Sequence, residues 1–208
     1  MSIVNTLTLE SNRQIKINFD GGDLSSDTDL LLIKEFAAKI GFTKLIKKKF
    51  KTNDKAVRFH KDAENLLQII YQVISAYFQD DCADELTLDP VFQAILEKES
   101  LASQPTLSRF FNRMDEDTLI QFDDIDKNLR NIIYSIKRPE HVFLDLDSTL
   151  FGTYGKQEGE GFNFHYQEHG YHPLLCYDGL TGDLIKAELR DGTLYCSNGA
   201  DKFMKSIF

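Results

Sequence analysis

The chain has no tryptophan, few cysteines, no long apolar run and no excess of positive charge. The missing tryptophan excludes nothing. Cys82, Cys176 and Cys196 are odd in number and form no CxxC pair, which argues against a disulfide scaffold or a zinc site and fits a reducing cytoplasm. No charged-then-apolar leader opens the sequence, so no secretion signal is expected. No apolar run approaches the ~20 residues that span a bilayer, so no membrane partner is expected. Internal repeats and low-complexity segments are absent as well. The formal net charge of −9 weighs against a general nucleic-acid binder, because neutralising phosphates takes Lys and Arg. At 208 residues, 42% of them hydrophobic, the chain can bury a core as one large domain or two small ones.

The negative average hides a basic segment. Lys44, Lys47, Lys48, Lys49, Lys51, Lys55, Arg58 and Lys61 are opposed within it only by Asp54. Such a run is either an electrostatic footprint for DNA or RNA or a solvated helix end and loop.

Residues 6–10 and 14–19 alternate around Ser11-Asn12-Arg13 and read as a hairpin. Asp20-Gly21-Gly22 breaks the pattern. Ser25-Ser26-Asp27 can cap a helix over 28–40, and Gly41 ends it. A second amphipathic helix is expected over 62–78. A third is expected over 90–97, opened by Asp89 before Pro90. Helix, short turn (99–104), then a helix over 105–113 carrying Thr106, Ser108, Arg109 and Arg113 is the pattern of a helix-turn-helix reader; a plain helical hairpin reads the same way. A further helix is expected over 118–136.

From His141 the pattern turns to strands. Val142, Leu144 and Leu146 share one face of a strand; Phe143, Asp145 and Asp147 share the other. Two acids on one face of a strand that reads as buried need pairing, hydrogen bonds or a metal. A long Gly-rich loop, 152–170, follows. Strands over 173–178 and 184–189 then complete an antiparallel three-strand meander, and a last helix starts near Ser197. His165, His169 and His172 fit no standard zinc spacing and read as structural or DNA-contacting. Tyr154, Lys156 and Gln157 sit where a DNA backbone can pass the acidic strand.

Two chemistries compete for that strand. Phe143-Leu-Asp-Leu-Asp-Ser-Thr-Leu150 resembles the first motif of haloacid-dehalogenase-like phosphatases, with Asp145 as nucleophile and Asp147 as general acid–base. The strand order fits a ribonuclease-H-like fold, in which metal ions clamped by carboxylates drive strand transfer. The wider resemblance is to bacterial insertion-sequence transposases of the DDE type. Phe19-Asp-Gly-Gly-Asp-Leu-Ser-Ser-Asp27, Leu101-Ala-Ser-Gln-Pro-Thr-Leu-Ser-Arg109, Leu144-Asp-Leu-Asp-Ser-Thr149, Tyr154-Gly-Lys-Gln-Glu-Gly159, Asn163-Phe-His-Tyr166, Gly170-Tyr-His-Pro173 and Gly182-Asp-Leu-Ile-Lys-Ala-Glu-Leu-Arg-Asp-Gly192 carry it.

The resemblance implies an α+β chain with a hairpin over 1–19 and a helical DNA-binding region over 20–138. The first half of a ribonuclease-H-like domain then occupies 139–208. It places the first DDE acid on Asp147, a metal ligand, with Asp145 a weaker catalytic candidate, and Mg²⁺ as cofactor. DNA contacts are expected from Lys47, Lys48, Lys49, Lys51, Arg58, Thr106, Ser108, Arg109, Arg113 and Lys156. The partners implied are the element's terminal inverted repeats and target DNA, and a homodimer stays open. The family's second Asp and its Glu match no position in these residues, so a truncated portion, inactive alone, is expected; a non-catalytic DNA-binding module is the remaining alternative.

Overall fold

The computed structural model describes residues 6–19 and 26–207. The chain divides into two compact units, one reaching Leu129 and the other starting at Arg130.

In the first unit, β1 (Thr6–Thr8) pairs antiparallel with β2 (Lys16–Asn18), so the expected hairpin is present with shorter strands. Its inner residues Leu9 and Ile17 are buried among Leu30, Leu31, Tyr71, Phe92 and Leu101. Asp20-Gly21-Gly22 and Ser25 lie outside the described residues. Helix α1 spans Leu30–Lys39. Its cap residue is Asp29, which makes no side-chain cap bond; Asp27, expected there, instead accepts a hydrogen bond from the Tyr77 hydroxyl at 2.8 Å.

Gly41, at φ 76°, ends α1 and also opens α2 (Phe42–Lys49). Half of the basic segment is therefore a helix, which the charge run concealed. Its apolar positions Ile46 and, just after it, Phe50 are buried against Leu66, Leu67, Phe110 and Ile125. The Phe50 ring stands 5.9 Å from that of Phe110 and 5.1 Å from that of Phe122. Burying each such ring is worth roughly 1.5–3 kcal/mol.

Helix α3 covers Asp62–Ile74, where the pattern suggested a run to 78. The left-handed backbone of Ala76, φ 64°, stops it. Helix α4 (Cys82–Glu85) and a 3₁₀ turn (Leu86–Leu88) have no clear signal in the sequence. Helix α5 (Pro90–Leu96) begins as expected: the Asp89 carboxylate accepts from the N–H groups of Val91 and Phe92, both at 2.9 Å.

Helix α6 covers Gln104–Phe111. The connection from α5 runs over 97–103, longer than the 3–4-residue turn of the reader pattern, and α6 packs on α3 and α4. Gln68 of α3 fixes that connection by bonding both the carbonyl and the N–H of Ala102, at 2.8 and 2.9 Å. Helix α7, Glu116–Ile136, is the longest.

The second unit holds two three-stranded sheets and a short helix. Strand β3 (Leu144–Ser148), β7 (Leu174–Asp178) and β8 (Leu184–Glu188) form an antiparallel sheet in the order β3-β7-β8. The expected meander is present. The segment expected as loop is not all loop, because β4 (Phe151–Gly152), β5 (Gly161–Asn163) and β6 (Glu168–Tyr171) form a second sheet in the order β4-β6-β5. Strands this short lack the alternating run that would have shown them.

Helix α8 (Ala200–Lys205) lays Phe203 on Leu174, Cys176 and Ile185. Two glycines let the segments cross. A Cβ on Gly192 would stand 1.9 Å from the Gly170 carbonyl oxygen, and one on Gly170 would stand 2.3 Å from that of Phe151.

Candidate functional site

The acidic strand β3 lies at the edge of its sheet. In the register with β7, Leu144, Leu146 and Ser148 face the same side as Asp178, Cys176 and Leu174, which is the packed side. Asp145 and Asp147 stand opposite Tyr177 and Leu175, on the other side. The face assignment made from the alternation holds. The burial does not: Asp145, Leu146 and Asp147 are exposed. Among the described residues only β7 pairs with β3, and one face of the sheet carries the Phe203 core, so the face that bears the two carboxylates is left open.

Asp147 Oδ1 accepts a hydrogen bond from the Ser148 N–H at 2.8 Å. No other bond to this carboxylate is made among the described residues, so an oxygen is left for a cation or water. Asp147 lines an open cleft of about 390 Å³ with Ser148, His165, Tyr166, Cys196 and Ser197. The Tyr166 hydroxyl donates to the Ser148 carbonyl at 3.0 Å, tying one wall of the cleft to the acidic strand.

His172 is fully buried and Asn163 nearly so. The Asn163 amide donates to the Gly192 carbonyl at 2.8 Å and its oxygen accepts from His165 N–H at 3.0 Å. His172 is thus structural, and His169 faces Glu160 at 2.9 Å on the surface. Among the described residues no three His, Cys, Asp or Glu side chains converge as a metal site.

The family model for the transposase DDE domain, group 1, matches residues 7–208. The chain belongs to that family. Its members act on DNA and use divalent metal, so the exposed acids of β3 belong to a transposase. No protein of curated function and no solved structure matches the chain. The match spans the acidic strand and everything around it, whereas the likeness to phosphatases covers eight residues. No described helix of the transposase is long and apolar enough to cross a membrane.

The DNA-contact residues named from the sequence differ in their surroundings. Lys47, Lys48 and Lys51 are exposed and make no ion pair among the described residues. Lys49 pairs with Asp124 at 2.6 Å and Arg58 with Asp54 at 2.5 Å. Arg113 is turned inward: its guanidinium donates to Asp62 at 2.9 Å and to the Arg109 carbonyl at 2.9 Å, and stands 3.5 Å from Asp54. Asp62 also accepts from the Thr52 hydroxyl and N–H at 2.6 and 2.9 Å.

Burial raises the Asp62 carboxyl, but the hydrogen bonds from Thr52 and Arg113 outweigh it and hold it below the usual carboxylate range. Asp54 is held low by the Ala56 N–H and by Arg58. The basic segment is therefore paired with Asp54 within it and with Asp124 outside it in sequence, whereas Asp62 answers Arg113. Ser108 and Arg109 are exposed on α6, with Thr106 half-buried and 3.2 Å from the Arg109 guanidinium. Lys156 is exposed in the turn between β4 and β5.

Proposed function

We propose that this transposase recognises the ends of its mobile element through the helical unit and contributes the first acid of the strand-transfer site, Asp147. The observation that carries the reading is the position of Asp147. It sits on the hydrated face of the first strand of an antiparallel meander, with one carboxylate oxygen held by backbone and its mate unengaged among the described residues. That is the place and donor chemistry expected of the first acid in a ribonuclease-H-like fold, with the small sheet β4-β6-β5 inserted between its first two strands.

Asp147 and Asp145 offer hard oxygen donors of the right kind for Mg²⁺, but two are too few, since such a cation wants several oxygens. When bound by a complete set, paired Mg²⁺ ions supply Lewis-acid activation of attacking and leaving oxygens in strand cleavage and transfer. The outer edge of β3 has no strand beside it among the described residues, and a strand bearing the second acid reaches Asp147 most directly there.

Lys47, Lys48 and Lys51 neutralise backbone phosphates, Ser108 and Arg109 face bases or phosphates, and Lys156 holds DNA past the acidic strand. Binding of the chain to a duplex carrying the element's terminal inverted repeats, measured by fluorescence anisotropy against a shuffled duplex, tests the reading. Preference for the repeats supports it; equal affinity for both overturns end recognition.

A further inference from the structure

The connection between α2 and α3, residues 50–61, carries two apolar side chains that the helical core does not take up. We infer that Phe59 is a stacking platform for a nucleobase, with the adjoining backbone phosphate seated in the cationic cleft that the same loop lines. The inference rests on the DNA-binding reading of the helical unit and names the part of the DNA that meets this loop.

Val57 is fully exposed and Phe59 is 71% exposed. Exposure alone carries nothing, since single apolar side chains are common at protein surfaces. Bracing is the second observation. The Lys98 ammonium lies 5.1 Å from the Phe59 ring centroid, 3.4 Å from the Phe59 carbonyl oxygen and 3.1 Å from His60 Nδ1. Glu64 holds that ammonium at 2.6 Å. The rest of the loop is fastened by its own side chains. Asp54 accepts from the Ala56 N–H at 2.9 Å and from Arg58 Nε at 2.6 Å, and Asn53 donates to Asp115 at 2.6 Å. An aromatic ring that is exposed and already ordered presents a contact at low entropic cost.

Charge decides the partner. Lys47, Lys51, Arg58 and Lys61 line a cleft of about 270 Å³. Asp54 and Asp62 share its wall, but Arg58, Thr52 and Arg113 engage both. Lys55 is exposed in the same loop. Cations set around an aromatic tip fit a strand in which phosphates and bases alternate. Phe78 is as exposed, at 73%, but Asp80 and Asp81 follow it, and carboxylates there repel phosphate. Every base has a π-face, so the platform takes any base, from an unpaired stretch or from an opened step of a duplex.

The chain has no tryptophan, so Phe59→Trp puts a unique reporter at the site. Its emission is expected to be quenched on titration with an oligonucleotide whose binding is followed in parallel by anisotropy, while the emission of Phe78→Trp stays constant. Quenching by a single strand alone puts an unpaired base on the ring; equal quenching by a fully paired duplex puts an opened base step there. Phe59→Ala is expected to weaken binding of the quenching DNA at least about fivefold. The slope of log affinity against log salt is expected to stay the same, because the ring carries no charge. Binding without quenching, or Phe59→Ala binding as tightly as the parent chain, overturns the inference and leaves the DNA-binding reading standing. No binding of any DNA overturns both. An emission that shifts to the blue with chain concentration or with phosphatidylserine vesicles, and not with DNA, marks a second copy or a membrane surface as the occupant and overturns the inference as well.

Discussion

At the scale of single residues, three positions set most of the local energetics. Asp62 neutralises Arg113 and closes Thr52, and both members of the ion pair are mostly shielded, with side chains 16% and 14% exposed. Asp62→Asn leaves a nearly buried guanidinium short of its anion, and is expected to cost about 2–3 kcal/mol in urea unfolding. Glu64 behaves alike: burial raises its carboxyl, and the Lys98 ammonium outweighs that and holds it low. Both carboxyls have lowered folded values. The stability they contribute is thus complete above the ordinary carboxylate range and fades as pH falls through it. Thermal unfolding followed from pH 6 to pH 3 is expected to show a loss that Asp62→Asn reduces. Gly192 is the third position. Gly192→Ala drives a methyl into the Gly170 backbone, for which a loss at or above the upper end of ~1–3 kcal/mol is expected in urea unfolding.

At the scale of elements, helix α2 shows why a charge run is a poor guide to local structure. Lys44, Lys47, Lys48 and Lys49 alternate with Leu45 and Ile46, and it is burial of Ile46 that decides the helix. Of its cations, Lys47 and Lys48, with Lys51 beyond, remain free to meet phosphate. Replacing all three with Gln is expected to weaken duplex binding and to flatten the slope of log affinity against log salt by roughly one for each phosphate no longer neutralised. Arg113→Gln is expected to act through stability instead, a distinction that binding and unfolding measured side by side would reveal. Strand β3 is the other element whose neighbours decide its character. Its apolar run suggested burial, but an edge place with one open face leaves Asp145 and Asp147 in water.

At the scale of the whole molecule, each unit carries a different part of the proposed function. The helical unit holds all but Lys156 of the exposed cations proposed to meet DNA, and the unit from Arg130 holds Asp145 and Asp147. Asp147→Asn is therefore expected to leave affinity for DNA unchanged. Because the carboxylates present are too few, calorimetric titration of the chain with Mg²⁺ is expected to show binding no tighter than the order of millimolar. A micromolar site would mean that other residues complete the set.

Much of this was legible in the sequence because it rests on short-range rules. Period-2 alternation put Asp145 and Asp147 on one face, Asp89 before Pro90 fixed the start of α5, and ordered motifs from Leu101 to Gly192 pointed to the DDE transposases. The tertiary structure alone decided what depends on residues far apart in the chain. Asp124 answers Lys49 of the basic segment across 75 residues, and Asp62 answers Arg113 across 51; β4, β5 and β6 are strands only by pairing; and Arg190, a charged residue, is buried. No local pattern encodes such meetings, because burial and charge balance belong to the space around a side chain and not to its neighbours in sequence.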